Sequence, residues 1–226
     1  MKPQLNKYAI AIMLLISISG YSQHSDVENI YFNSTTFTTI DLTSKKLVGT
    51  SYINNEFLPG KISNQKMVYS MRYNAYLDKM EVELDNKAYY LPLSSNYSIT
   101  FESLNKIYQV LDYKEKELTS KGFFVVVYFG NEISLFLKEK IKLYEEVPAK
   151  LGFTTYEPPK LGRLNDKLYV GYKNNTAIEL PNNKKDILKL FSAKSNEIES
   201  YAKKNNLGFK SKEDLIQIFR YYNSLK

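Results

Sequence analysis

The sequence predicts an α+β fold, mainly β: an antiparallel meander of about ten strands, as a half-open barrel or a sandwich, followed by two C-terminal α-helices. Three observations carry this. Between about 30 and 180, apolar side chains recur with period two and are broken by Asn, Asp and Gly turns. The turns are short, and sequential strands joined by short turns usually pair with one another. From Asn183 onward the apolar period becomes helical.

The strands follow in order. Met67, Tyr69, Met71 and Tyr73 alternate with polar or smaller residues, as do Met80, Val82 and Leu84 with Glu81, Glu83 and Asp85. Both runs read as half-buried strands with one wet face. Asn74 to Asp78 between them is a hairpin loop. Asp85-Asn86-Lys87 turns the chain into a strand at Ala88 to Leu91. Ile99 to Phe101 and Ile107 to Val110 pair around Asn105. Phe123 to Phe129 is almost continuously apolar, so it belongs in the centre of the sheet, covered on both faces. Gly130-Asn131 leads to Ile133 to Leu137, and a last hairpin turns at Asn174-Asn175. Pro158-Pro159 marks a break before it.

Asn183 then caps a helix, with Asp186 at its positive end, and Asn206 and Gly208 end it. Ile187, Phe191, Lys194, Ile198, Tyr201 and Asn205 trace one edge of its stripe. Ser211 and Asp214 open a second helix whose apolar face is Leu215, Ile218, Phe219 and Tyr222. Amphipathic helices of this length are not stable alone. The sequence therefore divides into a leader at 1–22, a β domain at 23–182 and a helical segment at 183–226 that packs on the sheet.

The leader rests on Lys2 and Lys7, the apolar run from Tyr8 to Ser19, and Gly20-Tyr21-Ser22. This is the layout of a secretory signal peptide cleaved after Ser22, and the run is too short for a comfortable membrane span. The expected address is the periplasm, the cell surface or the medium. With no cysteine in the chain there is no disulfide, no thiolate chemistry and no cysteine for lipid attachment. Net charge is +7, but residues 23–183 hold equal numbers of basic and acidic side chains. Residues 184–226 hold ten basic and five acidic ones, so the basic helices offer a contact for an anionic surface.

Catalytic chemistry has little to work with. The single histidine, His24, lies next to the predicted mature terminus. With its only histidine at that terminus, a poor place for a general base, and no cysteine, the chain has no histidine-based triad, no cysteine nucleophile and no usual zinc ligand set. No metal or cofactor motif is present, and nine glycines leave little material for a phosphate loop. Asp78, Glu81, Glu83 and Asp85 form the best carboxylate cluster, although alternation accounts for the last three as a wet strand face. The neutral body and the exported address argue against nucleic acid. Arg72, Tyr73, Asn74, Tyr76, Asp78 and Glu81 are the candidate binding residues, as a structural turn or as an exposed recognition edge.

Three segments carry a resemblance: FLPGKI (Phe57 to Ile62), MRYNAYLDKMEVEL (Met71 to Leu84), and KKDILKLF through EDLIQIFRYYN (Lys184 to Asn223). With a leader ending in YSQ, they make the chain resemble uncharacterised exported proteins of Flavobacteria and related Bacteroidetes. The resemblance implies an origin and a compartment and carries no catalytic residue. The expected function is non-enzymatic binding of an envelope macromolecule or an amphipathic or lipid ligand. The alternatives are a carboxylate-dependent hydrolase of envelope or dietary polymers, drawing on Asp78, Glu81, Glu83, Glu145 and Glu146, and a structural envelope component.

Overall fold

A computed structural model describes residues 47–95, 97–115, 118–172 and 176–225. The predicted leader and its cleavage point, His24 and the Asn174-Asn175 turn lie outside the described residues.

The described chain is mostly antiparallel strand. β1 (Leu58–Ile62), β2 (Val68–Asn74), β3 (Lys79–Leu84) and β4 (Lys87–Tyr90) are followed by β5 (Ser98–Phe101), β6 (Lys106–Glu115), β7 (Leu118–Tyr128) and β8 (Ile133–Lys138). β9 (Ile141–Tyr144) and β10 (Lys160–Arg163) form a separate two-stranded sheet. β11 (Lys167–Tyr172) and β12 (Ile178–Glu179) complete the large sheet, whose order is β12-β11-β8-β7-β6-β5-β1-β2-β3-β4. Two stretches, β2-β3-β4 and β5-β6-β7-β8, are the expected meander. Between them β1 pairs with both β2 and β5, so the chain leaves the β4 edge and returns beside the first strand.

Local chemistry sets the turns. Asp85 and Asn86 both take left-handed backbone (φ 49° and 60°), which the tight β3–β4 hairpin requires and which these residues tolerate. In the β2–β3 turn the left-handed residue is Asp78 (φ 55°), while the Asn74 side chain accepts a hydrogen bond from the Leu77 N–H at 3.0 Å. A bulge between Val126 and Tyr128 shifts the β7–β8 register. Beyond it, Val127 and Tyr128 pack against the helical core.

The ten-stranded sheet curls into a half-barrel. The ring of Tyr73 on β2 lies 5.2 Å from that of Tyr108 on β6 and 6.0 Å from that of Phe123 on β7, although β1 and β5 stand between β2 and β6 in the sheet. Phe101 adds an edge contact to Tyr108. All four aromatics are at most 1% exposed, so the inside of this curl is filled by side chains. Phe124, on the other face of β7, packs with Tyr113 and Tyr169 in a second aromatic cluster. The central strand is thus buried on both faces.

The C-terminal segment packs on the face of β8 and β11 that carries Ile133, Leu135 and Val170. It differs from the expected pair of helices in one respect. The first helix is broken into α1 (Lys184–Lys189) and α2 (Ser195–Lys204) by a 3-10 turn at 192–194, where Ser192 has φ 48°. The Ser195 hydroxyl donates to the Leu188 carbonyl at 2.6 Å, holding the break. α3 (Lys212–Ser224) follows. The Asn183 and Ser211 side chains accept from the Asp186 and Asp214 amides, at 2.9 and 3.1 Å, as their sequence positions predict. Ile187, Phe191, Ile198, Leu215, Ile218 and Phe219 are all 0% exposed.

Candidate functional site

The six candidate residues sit at one end of β2 and β3, and the structure separates them into two clusters. In the first, Arg72 and Glu81 are directly opposite across the β2–β3 ladder. Arg72 Nε donates to Glu81 Oε2 at 2.8 Å, and its guanidinium stacks between the rings of Tyr52 and Phe57, 3.8 and 4.2 Å from their centroids. Tyr52 Oη and Asn74 Nδ2 both donate to Glu81 Oε1. Glu81 is therefore 1% exposed, not part of a wet strand face. The segment before β1, which carries Tyr52, covers that face of the sheet; its backbone bonds run from Ile53 N–H to Tyr73 O and from Ala75 N–H to Ser51 O. Glu83 and Asp85, one and two pleats further, stay exposed.

The second cluster surrounds Asp78. Its Oδ1 accepts from Tyr73 Oη at 2.7 Å and from the Phe123 N–H at 3.1 Å, and its Oδ2 accepts from Lys138 Nζ at 2.6 Å. Lys138 also donates to the Phe123 carbonyl at 2.9 Å. β7 pairs with β8 only from Val125 onward, so the edge of β7 at Phe123 is open, and the tip of the β2–β3 hairpin fills it. Lys138 is 7% exposed at its side chain and lies over the rings of Phe124 and Tyr113. Burial pushes its ammonium below the usual lysine range, and Asp78 only partly opposes this. Burial, and then the Asp78 carboxylate, raise the Tyr73 phenol well above its ordinary value. Tyr76 is half-buried.

A third buried group was not legible in the sequence. Glu139, 2% exposed, accepts from Tyr108 Oη at 2.5 Å, Lys106 Nζ at 2.7 Å and Arg163 at 2.8 Å. Burial and then Glu139 raise the Tyr108 phenol far above its ordinary value. Lys138-Glu139-Lys140 reads in sequence as a charged, wet strand end. Only its position directly after the apolar run Ile133 to Leu137 marks it as entering the interior.

Of the carboxylates a hydrolase would need, Asp78 is committed to Lys138 and Glu81 to Arg72, while Glu83 and Glu145 are exposed. Among the described residues no group of three His, Asp or Glu side chains is placed to hold a metal ion.

The exposed apolar surface lies elsewhere. Residues between β9 and β10 extend their hairpin into an arm, with bridges Val147↔Glu157 and Lys150↔Thr154. Gly152 (φ 76°) makes the turn at its tip. Thr154 fastens it: its hydroxyl accepts from the Lys150 N–H and donates to the Pro148 carbonyl, both at 3.1 Å. On this pinned tip Leu151 and Phe153 are 101% and 90% exposed. An open groove of about 780 Å³ lies over the helices, floored by Ala202, Leu207 and Phe209 and bordered by Lys184, Lys203 and Lys210 and by the carboxylates Glu199 and Asp214. A smaller cavity of about 140 Å³ reaches Lys138 between Tyr113 and Tyr169. No described helix is long and apolar enough to cross a membrane.

Compared with known proteins, the chain matches no family model, no curated protein and no solved structure.

Proposed function

We propose that this is an exported, non-enzymatic binding protein that docks to another envelope macromolecule through the tip of its β9–β10 arm. One observation carries the reading: Leu151 and Phe153 are held fully in water on a turn that its own hydrogen bonds keep in shape. Single exposed apolar residues are ordinary, but two of them flanking the turn glycine at the end of a pinned arm have no internal use. Tyr156, half-exposed below them, extends the patch with a ring suited to an interface. The carrier version, with an amphipathic ligand inside the barrel, is disfavoured because Phe101, Tyr73, Tyr108 and Phe123 already fill the curl.

The test is capture from the envelope fraction of the cells that make the protein, comparing the mature chain with L151S/F153S. The reading requires a discrete partner that wild type retains and the double variant loses at unchanged melting temperature. Equal capture by both proteins refutes the tip as the contact.

A second reading has its own observation. Lys184, Lys203 and Lys210 against Glu199 and Asp214 give the border of the apolar helix groove a basic excess, which suits an anionic amphipath. Binding of anionic but not zwitterionic vesicles, lost on K203E/K210E, is its signature.

A further inference from the structure

The Asp78–Lys138 contact brings an amine and a carboxyl group together in a short, largely buried pair. Lys138 Nζ lies 2.6 Å from Asp78 Oδ2, between residues 60 apart in sequence. The two carboxylate oxygens are not equivalent. Oδ1 takes both stationary donors, the Tyr73 hydroxyl and the Phe123 N–H, whereas Oδ2 faces the amine. The Phe123 carbonyl accepts a second N–H of Lys138 and fixes the direction of approach. Gly122 makes the meeting possible, since a methyl group there would collide with both the Asp78 carboxylate and Lys138 Nζ.

We propose that Lys138 and Asp78 condense to an intramolecular amide, a covalent crosslink between the β2–β3 hairpin tip and the end of β8. The balance needs no further reagent. The ammonium gives one proton to Oδ2, and the neutral amine attacks Cγ. Charge gathers on Oδ1, where Tyr73 Oη and the Phe123 N–H stand as a two-donor oxyanion site. The Cγ–Oδ2 bond breaks as a second proton passes from nitrogen to Oδ2, and one water leaves. Nitrogen keeps its third hydrogen as the amide N–H.

Three features of the site favour this over a lasting ion pair. The Lys138 side chain is 7% exposed, so its ammonium is poorly hydrated and burial disfavours the charged amine. The fold holds amine and carboxyl together, which gives intramolecular reactions effective molarities of ~10⁵ to 10⁸ M. The released water has a route out, because the cavity of about 140 Å³ reaches Lys138 and the Asp78 side chain keeps a quarter of its surface exposed. In a chain without cysteine, such a bond takes the place a disulfide would have across the closure of the curl.

The test is mass spectrometry of the purified full-length mature chain, denatured before measurement. The expected wild-type mass is one water below that of the sequence, with a linked peptide containing Lys138 and Asp78 after digestion. Lys138→Arg keeps the cation but cannot form the amide, so it should return to the full sequence mass. Dehydration to a succinimide would persist in that variant and so overturns the assignment. A wild-type mass equal to the sequence, with no linked peptide, also overturns it. Should Lys138→Arg fail to fold, the presence or absence of the linked wild-type peptide decides alone.

Discussion

Phe191→Ala is the sharpest probe of how the helices and sheet depend on one another. Phe191 is 0% exposed at the point where α1 gives way to the 3-10 turn. Its ring meets Phe219 edge-on at 5.6 Å and Tyr222 at 5.0 Å, both on α3. Truncating a fully packed phenylalanine costs ~3 to 5 kcal/mol in lost transfer energy and residual cavity. The two ring contacts, worth ~0.5 to 1.5 kcal/mol each, place this site in the upper part of that range. At about 4 kcal/mol, a domain of this size should melt ~8 to 16 °C lower. Urea unfolding of wild type, Phe191→Ala and Phe191→Leu, followed by circular dichroism, measures it. The alanine variant should unfold at clearly lower urea with an unchanged slope, and the leucine variant should lie between. A loss below ~1 kcal/mol for Phe191→Ala would refute the packing argument, because a cavity between three elements cannot be that cheap. A second, earlier transition would mean that the helices detach as a unit of their own.

Alkaline pH should destabilise the protein. Tyr73 and Tyr108 have phenols raised by burial, so the unfolded chain releases their protons first and stability falls as pH passes the ordinary tyrosine value of 10.0. Tyr108→Phe should flatten the slope between pH 10 and 11 in urea titrations, by up to ~1.4 kcal/mol per pH unit; an unchanged slope refutes the assignment. Tyr73→Phe removes the hydrogen bond from Tyr73 Oη to Asp78 Oδ1 and should cost at least ~0.5 to 1.5 kcal/mol, read as a lower melting temperature. L151S/F153S should leave stability within ~0.5 kcal/mol of wild type by the same melting assay, because the tip packs on nothing.

How much of this was legible follows from the range of each interaction. Asp85-Asn86 and the Asn183 and Ser211 caps were readable because a residue and its near neighbour determine them. Phe123 to Tyr128 was readable as part of a central strand because burial on both faces leaves a continuous apolar run, whereas Phe129, at the end of that run, lies past β7 and is 67% exposed. β1 was harder: Leu58-Pro59-Gly60 has neither alternation nor β-branched residues, and its place between β2 and β5 depends on strands 40 residues downstream. The break at Ser192 hid inside a regular helical stripe, since Phe191 and Ile198 fit either a straight or a broken helix. Arg72, Tyr73, Asn74, Asp78 and Glu81 were readable as a group, but their partners Tyr52, Phe123 and Lys138 lie on other elements. No local spacing announces that a lysine at the end of β8 will meet the β2–β3 turn.

One clamp near the end of α3 bears on when the protein can finish folding. Asn223 accepts from the Glu132 and Ile133 amides at 2.9 and 3.3 Å and donates to the Ile133 carbonyl at 2.9 Å, across some 90 residues. Gly130, in the turn before β8, has no side chain where the Asn223 amide sits. During synthesis at ~5 to 20 residues per second, β8 waits roughly 5 to 20 seconds for its clamp, which comes with the last turn of α3. Until Leu215, Ile218 and Phe219 of α3 have also been made, the cover over Ile133, Leu135 and Val170 is incomplete. The sheet face under the helices therefore gains its last cover and its clamp only when the final turn of α3 is complete, so truncation of the last few residues should expose it.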